Sequence, residues 1–199
     1  MNLALFDFDG TITTEDTFTK FIFSVLDKKS LLLGRIKLLP YIAGYKVRII
    51  KGTTIRQKIV KVGLAGRSYK DLSTKAKDFS VSYIDTVIRD NAKTRIKEHL
   101  DNGDKVIIVS ASLDIYLKDW CSRNGLELIC AELEVEEGLL TGNYLFGDCS
   151  GKAKADKVKD YCDLSQFNEV YAYGDTLEDR ELLDLADKKF YRWSEVDSI

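Results

Sequence analysis

The stretch Leu3–Thr11, which reads LALFDFDGT, decides the fold. Its first four residues form an apolar run typical of a buried strand. The carboxylates of Asp7 and Asp9 follow two residues apart, so in an extended chain they point to the same side. Gly10 permits a sharp turn, and Thr11 adds a hydroxyl. Oxygen ligands in this arrangement suit a hard divalent cation with a carboxylate nucleophile beside it, although a polar turn after a strand is the alternative.

The length and composition predict one enzyme-sized unit. A chain of 199 residues fits one domain, or one domain with a modest insertion. Hydrophobic residues make up 45% of the chain, which is enough for a core, and the net charge is −2. The start of the chain has no basic signal-peptide pattern, so we expect a cytoplasmic protein.

The charge is unevenly distributed along the chain. From Lys28 to Lys70 there are twelve Lys and Arg residues and no Asp or Glu. A basic segment attached to an acidic body suggests that the segment meets an anion. A solvated helical surface that happens to be basic is an equally good interpretation.

Alternation of strand and helix patterns predicts an α/β fold. Short apolar segments that are not alternating indicate parallel strands covered on both faces, at 3–8, 106–110, 128–130, 170–173 and 190–191. Helical patterns separate them, at 92–102, 113–124, 153–162 and 178–186. We therefore expect a Rossmann-like open parallel sheet with helices on both faces and the ligand site beyond the carboxyl ends of the strands.

Two insertions interrupt this alternation. Nearly a hundred residues with helical patterns separate the first two strands, which predicts an α-helical cap at 15–84 and an α/β core at 1–14 and 85–199. The segment 133–144 has two short apolar runs around Glu136-Glu137-Gly138, which predicts a small β-hairpin flap.

Three further polar clusters follow the other predicted strands and open the next helices. Ser110 stands at the end of a strand, before Ala111 and Ser112, where a hydroxyl and amides at a helix start could bind phosphate. Gly151-Lys152-Ala153-Lys154 opens a helix and offers a lysine. Asp175 and Asp179 follow the strand at 170–173 and could complete a cation shell. Each signal alone is weak, but together they converge on one sheet edge.

These motifs resemble those of the haloacid dehalogenase (HAD) superfamily of phosphohydrolases. DFDGT at 7–11 looks like its first motif, VIIVSAS at 106–112 like its second, Lys152 like the lysine of its third, and GDTLED at 174–179 like its fourth. The inserted helices resemble the C1 cap of subfamily IB, the phosphoserine phosphatase-like group. The resemblance extends over nearly the whole chain.

The resemblance implies a mechanism and a metal. Asp7 would be the nucleophile that forms an aspartyl-phosphate, and Asp9 the general acid and base. Mg²⁺ would be held by Asp7, the backbone carbonyl of Asp9, Asp175 and, directly or through its outer shell, Asp179. Phosphate oxygens would be bound by Thr11, Ser110, Ala111 and Lys152.

The resemblance leaves the substrate open. Asp16 lies nine positions after Asp7, where phosphoserine phosphatases place an acid for the substrate ammonium, but Ser-Ala-Ser at 110–112 and Gly-Asp-Thr at 174–176 depart from their motifs. The apolar and basic cap is similar to that of bacterial phosphatidylglycerophosphate phosphatases. We expect a small phosphorylated metabolite or a phospholipid head group, with phosphoserine as the alternative, and no nucleic acid.

The basic cap also leaves two interpretations of its surroundings. It is too charged to span a bilayer but could touch an anionic membrane at the inner surface. A buried helix pair with solvated lysine tips is the alternative. A phosphotransferase or mutase would share the same nucleophile, and a non-catalytic basic-capped binding protein would need no such set of acids and lysine.

Overall fold

The computed structural model, which describes residues 1–199, contains a six-stranded sheet and a separate two-stranded hairpin. The sheet comprises β1 (Leu3–Phe6), β2 (Lys105–Leu113), β3 (Glu127–Ala131), β6 (Val170–Gly174), β7 (Lys188–Tyr191) and β8 (Ser194–Val196), in the order β3-β2-β1-β6-β7-β8. The hairpin comprises β4 (Leu133–Glu136) and β5 (Leu139–Tyr144). Within the six-stranded sheet, only β8 runs antiparallel to its neighbour. The predicted α/β class with an open, mainly parallel sheet is confirmed.

Nine helices accompany the strands. Six precede β2, and five of these lie in the helical insertion: α1 (Thr17–Val25), α2 (Lys28–Lys46), α3 (Gly52–Leu64), α4 (Tyr69–Phe79) and the single turn α5 (Asp85–Val87), joined to α4 by a π-helical turn. The sixth is α6 (Asp90–Asp101), and the remaining helices are α7 (Asp114–Arg123), α8 (Lys152–Tyr161) and α9 (Arg180–Leu183). No helix is both long and apolar enough to cross a membrane.

The central strand β1 explains why the sheet needs cover on both faces. All four of its residues are fully buried. Leu3 and Leu5 pack into one hydrophobic cluster, whereas Ala4 and Phe6 pack into a second, larger one that also includes residues of α1, α3 and α4. Alternate side chains therefore anchor helices on opposite faces, as expected for a buried parallel strand.

The helical insertion leaves and rejoins the rest of the chain at one place. Thr13 and Ile88 form an isolated antiparallel bridge. The amide of Thr14 donates to the Val87 carbonyl at 2.8 Å, and the amide of Arg89 donates to the Ile12 carbonyl at 2.9 Å. The two crossings thus lie side by side. The exact division into a core at 1–14 and 85–199 and a cap at 15–84 stays a prediction.

The end of the second strand differs from the expectation. The strand predicted at 106–110 continues to Leu113, whereas α7 begins at Asp114, one residue after the predicted start at 113. The pairing of β2 with β3 shifts between Ser110 and Leu113, which lets an extended chain pass the site without forming a helix. Although proline disfavours the interior of a helix, α2 runs through Pro40 without splitting there.

Candidate active site

The carboxyl ends of β1 and β6 bring three acidic residues together. Asp7 follows β1, and Asp175 and Asp179 follow β6, its parallel neighbour. One carboxylate oxygen from each residue lies within 4.8 Å of the others. Adjacent parallel strands end at the same sheet edge, so residues separated by 168 positions in sequence meet without long loops.

The lysine at this site is Lys154. Its side chain is buried, and its Nζ contacts Asp7 Oδ1 and lies 2.6 Å from Asp179 Oδ1. The prediction of Lys152 as the phosphate-binding lysine is corrected here. The side chain of Lys152 is 81% exposed, and its Nζ lies 3.6 Å from Asp156 on the outside of α8.

The register of α8 accounts for this difference. Its buried residues are Lys154, Ala155 and Val158, so one face packs against the body of the protein. Lys154 lies one helical turn before Val158 and therefore shares its inward direction. Lys152 shares the opposite face with Asp156 instead. The apolar side chains of Ala155 and Val158 were a usable sequence signal for choosing between the two lysines.

The charge of Lys154 is stabilised by its two partners. Burial alone would lower the pKa of this ammonium, but the carboxylates of Asp7 and Asp179 raise it well above its usual value. Burial would likewise raise the pKa of Asp179, yet Lys154 and backbone amides hold it below its ordinary value. The pKa of Asp7 is raised by burial and by the nearby Asp179 carboxylate, against the lowering effect of Lys154.

Asp179 also shapes the loop after β6. Its Oδ2 accepts hydrogen bonds from the amide of Asp175 at 3.2 Å and from the amide and hydroxyl of Thr176, both at 3.1 Å. A Cβ at Gly174 would lie 2.5 Å from the Asp179 Cβ, so this close approach requires glycine. Asp179 therefore pairs with Lys154 and also holds the backbone of the loop after β6 through hydrogen bonds.

Asp9 is held apart from the other acids by hydroxyl and amide donors. Its Oδ1 accepts from the amide and the hydroxyl of Thr17, both at 2.6 Å, and its Oδ2 accepts from the Ser112 hydroxyl. Burial raises the pKa of Asp9 to about 6 despite these hydrogen bonds. Thr17 and Ser112 were not predicted as site residues, and their spacing from Asp9 in sequence offers no signal.

Thr11 faces the acidic cluster. Its hydroxyl donates to Asp175 Oδ1 at 3.2 Å, so in this structure it orients a carboxylate, which differs from the predicted contact with phosphate. Gly10 has a φ of 86°, and a Cβ there would lie 2.5 Å from Asp175 Oδ2. The turn at 10–11 consequently brings Asp175 against the backbone of the first motif.

Ser110 and Ala111 face the same space as the acids. Both line the cavity above Asp7, and the buried Ser110 Oγ accepts a hydrogen bond from the Ser112 amide at 3.0 Å. The predicted phosphate pocket would use amides at the start of a helix. The backbone beside Ser110 is extended instead, so its amides belong to strand β2. Hydroxyl groups and strand amides are the donors that the segment offers.

Asp16 lies at the rim of this cavity. It begins α1 as its N-cap, where its carboxylate accepts from the Thr19 amide at 3.2 Å and the Thr19 hydroxyl at 2.6 Å. The predicted specificity residue is therefore near the site but already has two local donors. Its position agrees with contact to a substrate, and its hydrogen bonds agree with helix capping.

A cavity of about 950 Å³ lies between the acidic residues and helices of the insertion, which approach each other directly where Thr17 contacts Asp9. Asp7, Asp9 and Asp179 line one side. The opposite side is formed by apolar residues and two arginines of α1, α2, α3 and the α2–α3 connection, namely Phe18, Ile42, Ile55, Ile59, Arg48 and Arg56. An anionic group can therefore lie at the acid–lysine end while the rest of the molecule contacts apolar side chains and the two arginines on the helical side.

The donor set fits a divalent cation. Three carboxylates with oxygens within 4.8 Å of one another supply the hard ligands that Mg²⁺ prefers. Asp175, whose pKa is raised by burial and by Asp179, has no lysine of its own, so a cation would relieve the repulsion between these acids. Asp7 and Asp175 are the residues placed to hold it, with Asp179 adjacent.

Comparison with known proteins agrees with this geometry. The model of the haloacid dehalogenase-like hydrolase family matches residues 4–184. Protein CicA of Caulobacter vibrioides is 26% identical, with 96% of this chain and 85% of that protein covered.

Solved structures show the same fold. A protein of unknown function from Bordetella pertussis Tohama I has a TM-score of 0.81 at 20% identity, covering 96% of this chain and 89% of that one. A phospho-aspartyl intermediate analogue of phosphoserine phosphatase has a TM-score of 0.68 at 20% identity, covering 96% and 85%. Because the family match extends over residues 4–184 and the sheet, the acids and a buried lysine are all present, the chain belongs to the haloacid dehalogenase-like hydrolases.

Proposed function

We propose that this protein is a Mg²⁺-dependent phosphomonoester hydrolase that works through an aspartyl-phosphate on Asp7. The observation that carries the proposal is the buried cluster of Asp7, Lys154 and Asp179 facing a cavity. A carboxylate kept beside a permanent positive charge can approach a phosphate dianion that would otherwise repel it. The phospho-aspartyl phosphoserine phosphatase structure has the same fold, which supports this chemistry.

Each side chain has a distinct task in the proposed reaction. Asp7 attacks phosphorus, and the bond from phosphorus to the leaving oxygen breaks as the new acyl-phosphate bond forms. Asp9 gives its proton to the leaving oxygen and then takes one from the water that hydrolyses the intermediate. Lys154 neutralises charge on Asp7 and the phosphoryl oxygens. Mg²⁺, when bound, supplies further positive charge against the phosphate.

The position of Asp9 supports its part as acid and base. Its raised pKa, about 6, leaves a protonated fraction near neutral pH, which an ordinary aspartate lacks. Thr17 and Ser112 orient the carboxyl group, so the proton can be delivered from a fixed direction. Asp9 and Asp7 both line the cavity, as attack and proton delivery require.

Phosphate release from p-nitrophenyl phosphate tests the proposal directly. We expect the wild type to release phosphate with Mg²⁺ and to lose activity when EDTA removes the metal. Asp7→Asn should lower kcat by at least about 10³-fold, because an amide is not a nucleophile. Wild-type activity in Asp7→Asn would exclude this residue as the nucleophile, and no activity in the wild type would favour a non-catalytic binding protein.

The two lysines of α8 give a matched comparison. Lys154→Met should reduce kcat by about 10²-fold or more, since it removes the positive charge beside Asp7. Lys152→Met makes the same chemical change on the exposed face and should alter kcat less than about twofold. Rates with p-nitrophenyl phosphate, together with thermal unfolding of both variants, measure the difference. A larger loss in Lys152→Met than in Lys154→Met would contradict the assignment.

The acid role of Asp9 predicts a dependence on the leaving group. Asp9→Asn cannot protonate the leaving oxygen, so hydrolysis of an alkyl phosphate should fall by about 10²-fold or more. Formation of the phosphoenzyme from p-nitrophenyl phosphate should be affected less, because p-nitrophenolate leaves without a proton. Rapid-quench measurement of phosphoenzyme and product separates the two steps. Equal losses with both substrates would show that Asp9 acts in another way.

The substrate of this chemistry is a further part of the proposal. The large cavity with an apolar side supports an organic phosphate bigger than phosphoserine, such as a phospholipid head group like that of phosphatidylglycerophosphate. Phosphoserine is supported by the position of Asp16 and by the fold of the phosphoserine phosphatase structures. Transfer to an acceptor other than water would make the protein a phosphotransferase or mutase with the same nucleophile.

Contact with an anionic membrane belongs to the same proposal. On α2 the side chains of Leu32, Ile36 and Leu39 are 61%, 58% and 60% exposed, and their spacing places them on one face. Lys28, Lys29, Lys37 and Lys46 lie on this helix, and the acid-free segment 28–70 surrounds it. An exposed apolar face among lysines suits the surface of a bilayer with anionic lipids.

Vesicle sedimentation tests this contact. The wild type should bind vesicles that contain phosphatidylglycerol, and this binding should weaken as the salt concentration is raised. It should not bind vesicles of phosphatidylcholine alone. The triple variant Leu32→Gln, Ile36→Gln, Leu39→Gln should lower binding by about tenfold or more. The control replaces the exposed Leu139, Leu145 and Phe146 by Gln, outside the basic segment. Equal binding of both triple variants would place the membrane contact elsewhere or exclude it.

A further inference from the structure

A second, smaller cavity lies entirely within the helical insertion. It has a volume of about 170 Å³, is partly open to solvent and is lined by residues of α1, α2 and α3 and of the α1–α2 connection. Nine of its fourteen lining residues are hydrophobic, including Ile22, Leu31 and Leu38. Leu38 is the only buried residue of α2. Arg35 is the only charged residue in the lining, and its guanidinium lies over the ring of Phe23, 5.9 Å from the centroid.

This cavity adjoins the cavity of the candidate active site. Phe18, Thr19, Ile42 and Ile59 line both spaces. These four residues therefore form the boundary at which an apolar chamber meets the space above Asp7. A molecule anchored by its phosphate at Asp7 and Lys154 reaches this boundary with whatever group extends toward the helices.

Two glycines keep the chamber open. A Cβ at Gly34 on α2 would meet only the Val62 side chain, at 3.8 Å, which is an ordinary contact. A Cβ at Gly63 on α3 would lie 3.3 Å from the Leu26 side chain. Gly34 is thus a position where a larger side chain can be added, and where it would take up volume that is now empty.

We propose that this chamber, defined by Ile22, Leu31, Gly34, Leu38 and Ile59, binds the hydrocarbon part of the substrate. The inference rests on the proposed function, since it assumes that the phosphate of the same molecule lies at Asp7. Apolar cavities of about 150 Å³ take up a guest the size of benzene, so this chamber has room for about six carbon atoms. The substrate class is therefore a phosphomonoester that carries an alkyl, acyl or similar apolar group.

Binding of n-alkylphosphonates with two to twelve carbons tests the chamber, because their carbon–phosphorus bond is not hydrolysed. In calorimetry with Mg²⁺ present, we expect Kd to fall about fourfold for each methylene that enters the chamber and to level off once the chamber is full. Kd that is independent of chain length would overturn the proposal. Absence of binding by every phosphonate would overturn it as well.

A matched pair of variants locates the effect. Gly34→Val fills the chamber and should remove most of the chain-length dependence while leaving the Kd of ethylphosphonate within about twofold. Ala43→Val adds a valine to an exposed position of the same helix and should bind all phosphonates as the wild type does. Equal chain-length dependence in both variants would show that the hydrocarbon binds elsewhere.

A third variant keeps the proposal testable if Gly34→Val does not fold. Leu38→Ala enlarges the chamber, so the chain length at which Kd levels off should increase by about two carbons. Thermal unfolding identifies any variant that is not folded. An unchanged limit in a folded Leu38→Ala protein would count against the proposal.

These outcomes are distinct from failure of the proposed function. If the protein hydrolyses p-nitrophenyl phosphate but Kd does not depend on alkyl length, the proposed phosphatase activity is supported and the chamber is excluded as part of the substrate site. If Kd depends strongly on chain length but no phosphate ester is hydrolysed, binding in the chamber is supported and the proposed phosphatase activity is excluded. Initial rates with methyl and hexyl phosphate, measured beside the calorimetry, complete the comparison.

Discussion

The site depends on the buried ion cluster of Lys154 with Asp7 and Asp179. A buried ammonium is strongly unfavourable unless it is paired, and Lys154 has carboxylate partners on two sides. Those partners follow two different strands, β1 and β6, while the lysine comes from α8. One electrostatic requirement therefore fixes three chain segments relative to one another. The same arrangement leaves a carboxylate of Asp7 lining the cavity, where chemistry can occur.

Close backbone approach is the second constraint, and it follows from the first. The acids can gather only if the turns that carry them touch, and the space at Gly10 and Gly174 is too small for any side chain. Thr11 and Thr176 then complete the contacts of Asp175 and Asp179 through their hydroxyls. Substitutions at these glycines would act on the site through the backbone and not through lost chemistry.

The fold could be predicted from sequence because its signals are local. An apolar run such as the one before Asp7 predicts a buried strand from only a few consecutive residues. To choose between Lys152 and Lys154, one must know which face of α8 is buried. The apolar residues Ala155 and Val158 indicate that face, whereas the spacing of the phosphohydrolase motifs does not. The donors to Asp9 could not be predicted, since Thr17 and Ser112 reach it only through the tertiary fold. The strand that continues past Ser110 is likewise set by its neighbour β3 and not by its own residues.

The helical insertion is joined to the acidic body by charge as well as by chain. Arg56 of α3 makes two ion pairs with that body, since its guanidinium lies 3.3 Å from Asp148 and 3.0 Å from Glu178 in the loop of Asp175 and Asp179. The pairing is incomplete, because Arg56 Nε and Asp148 Oδ1 are buried without a partner. Buried polar atoms without a partner are destabilising, so they offset part of the stabilisation that the two ion pairs provide. The Arg56 contact therefore favours one position of α3 relative to the loop after β6, while the unpaired atoms reduce its net contribution to stability.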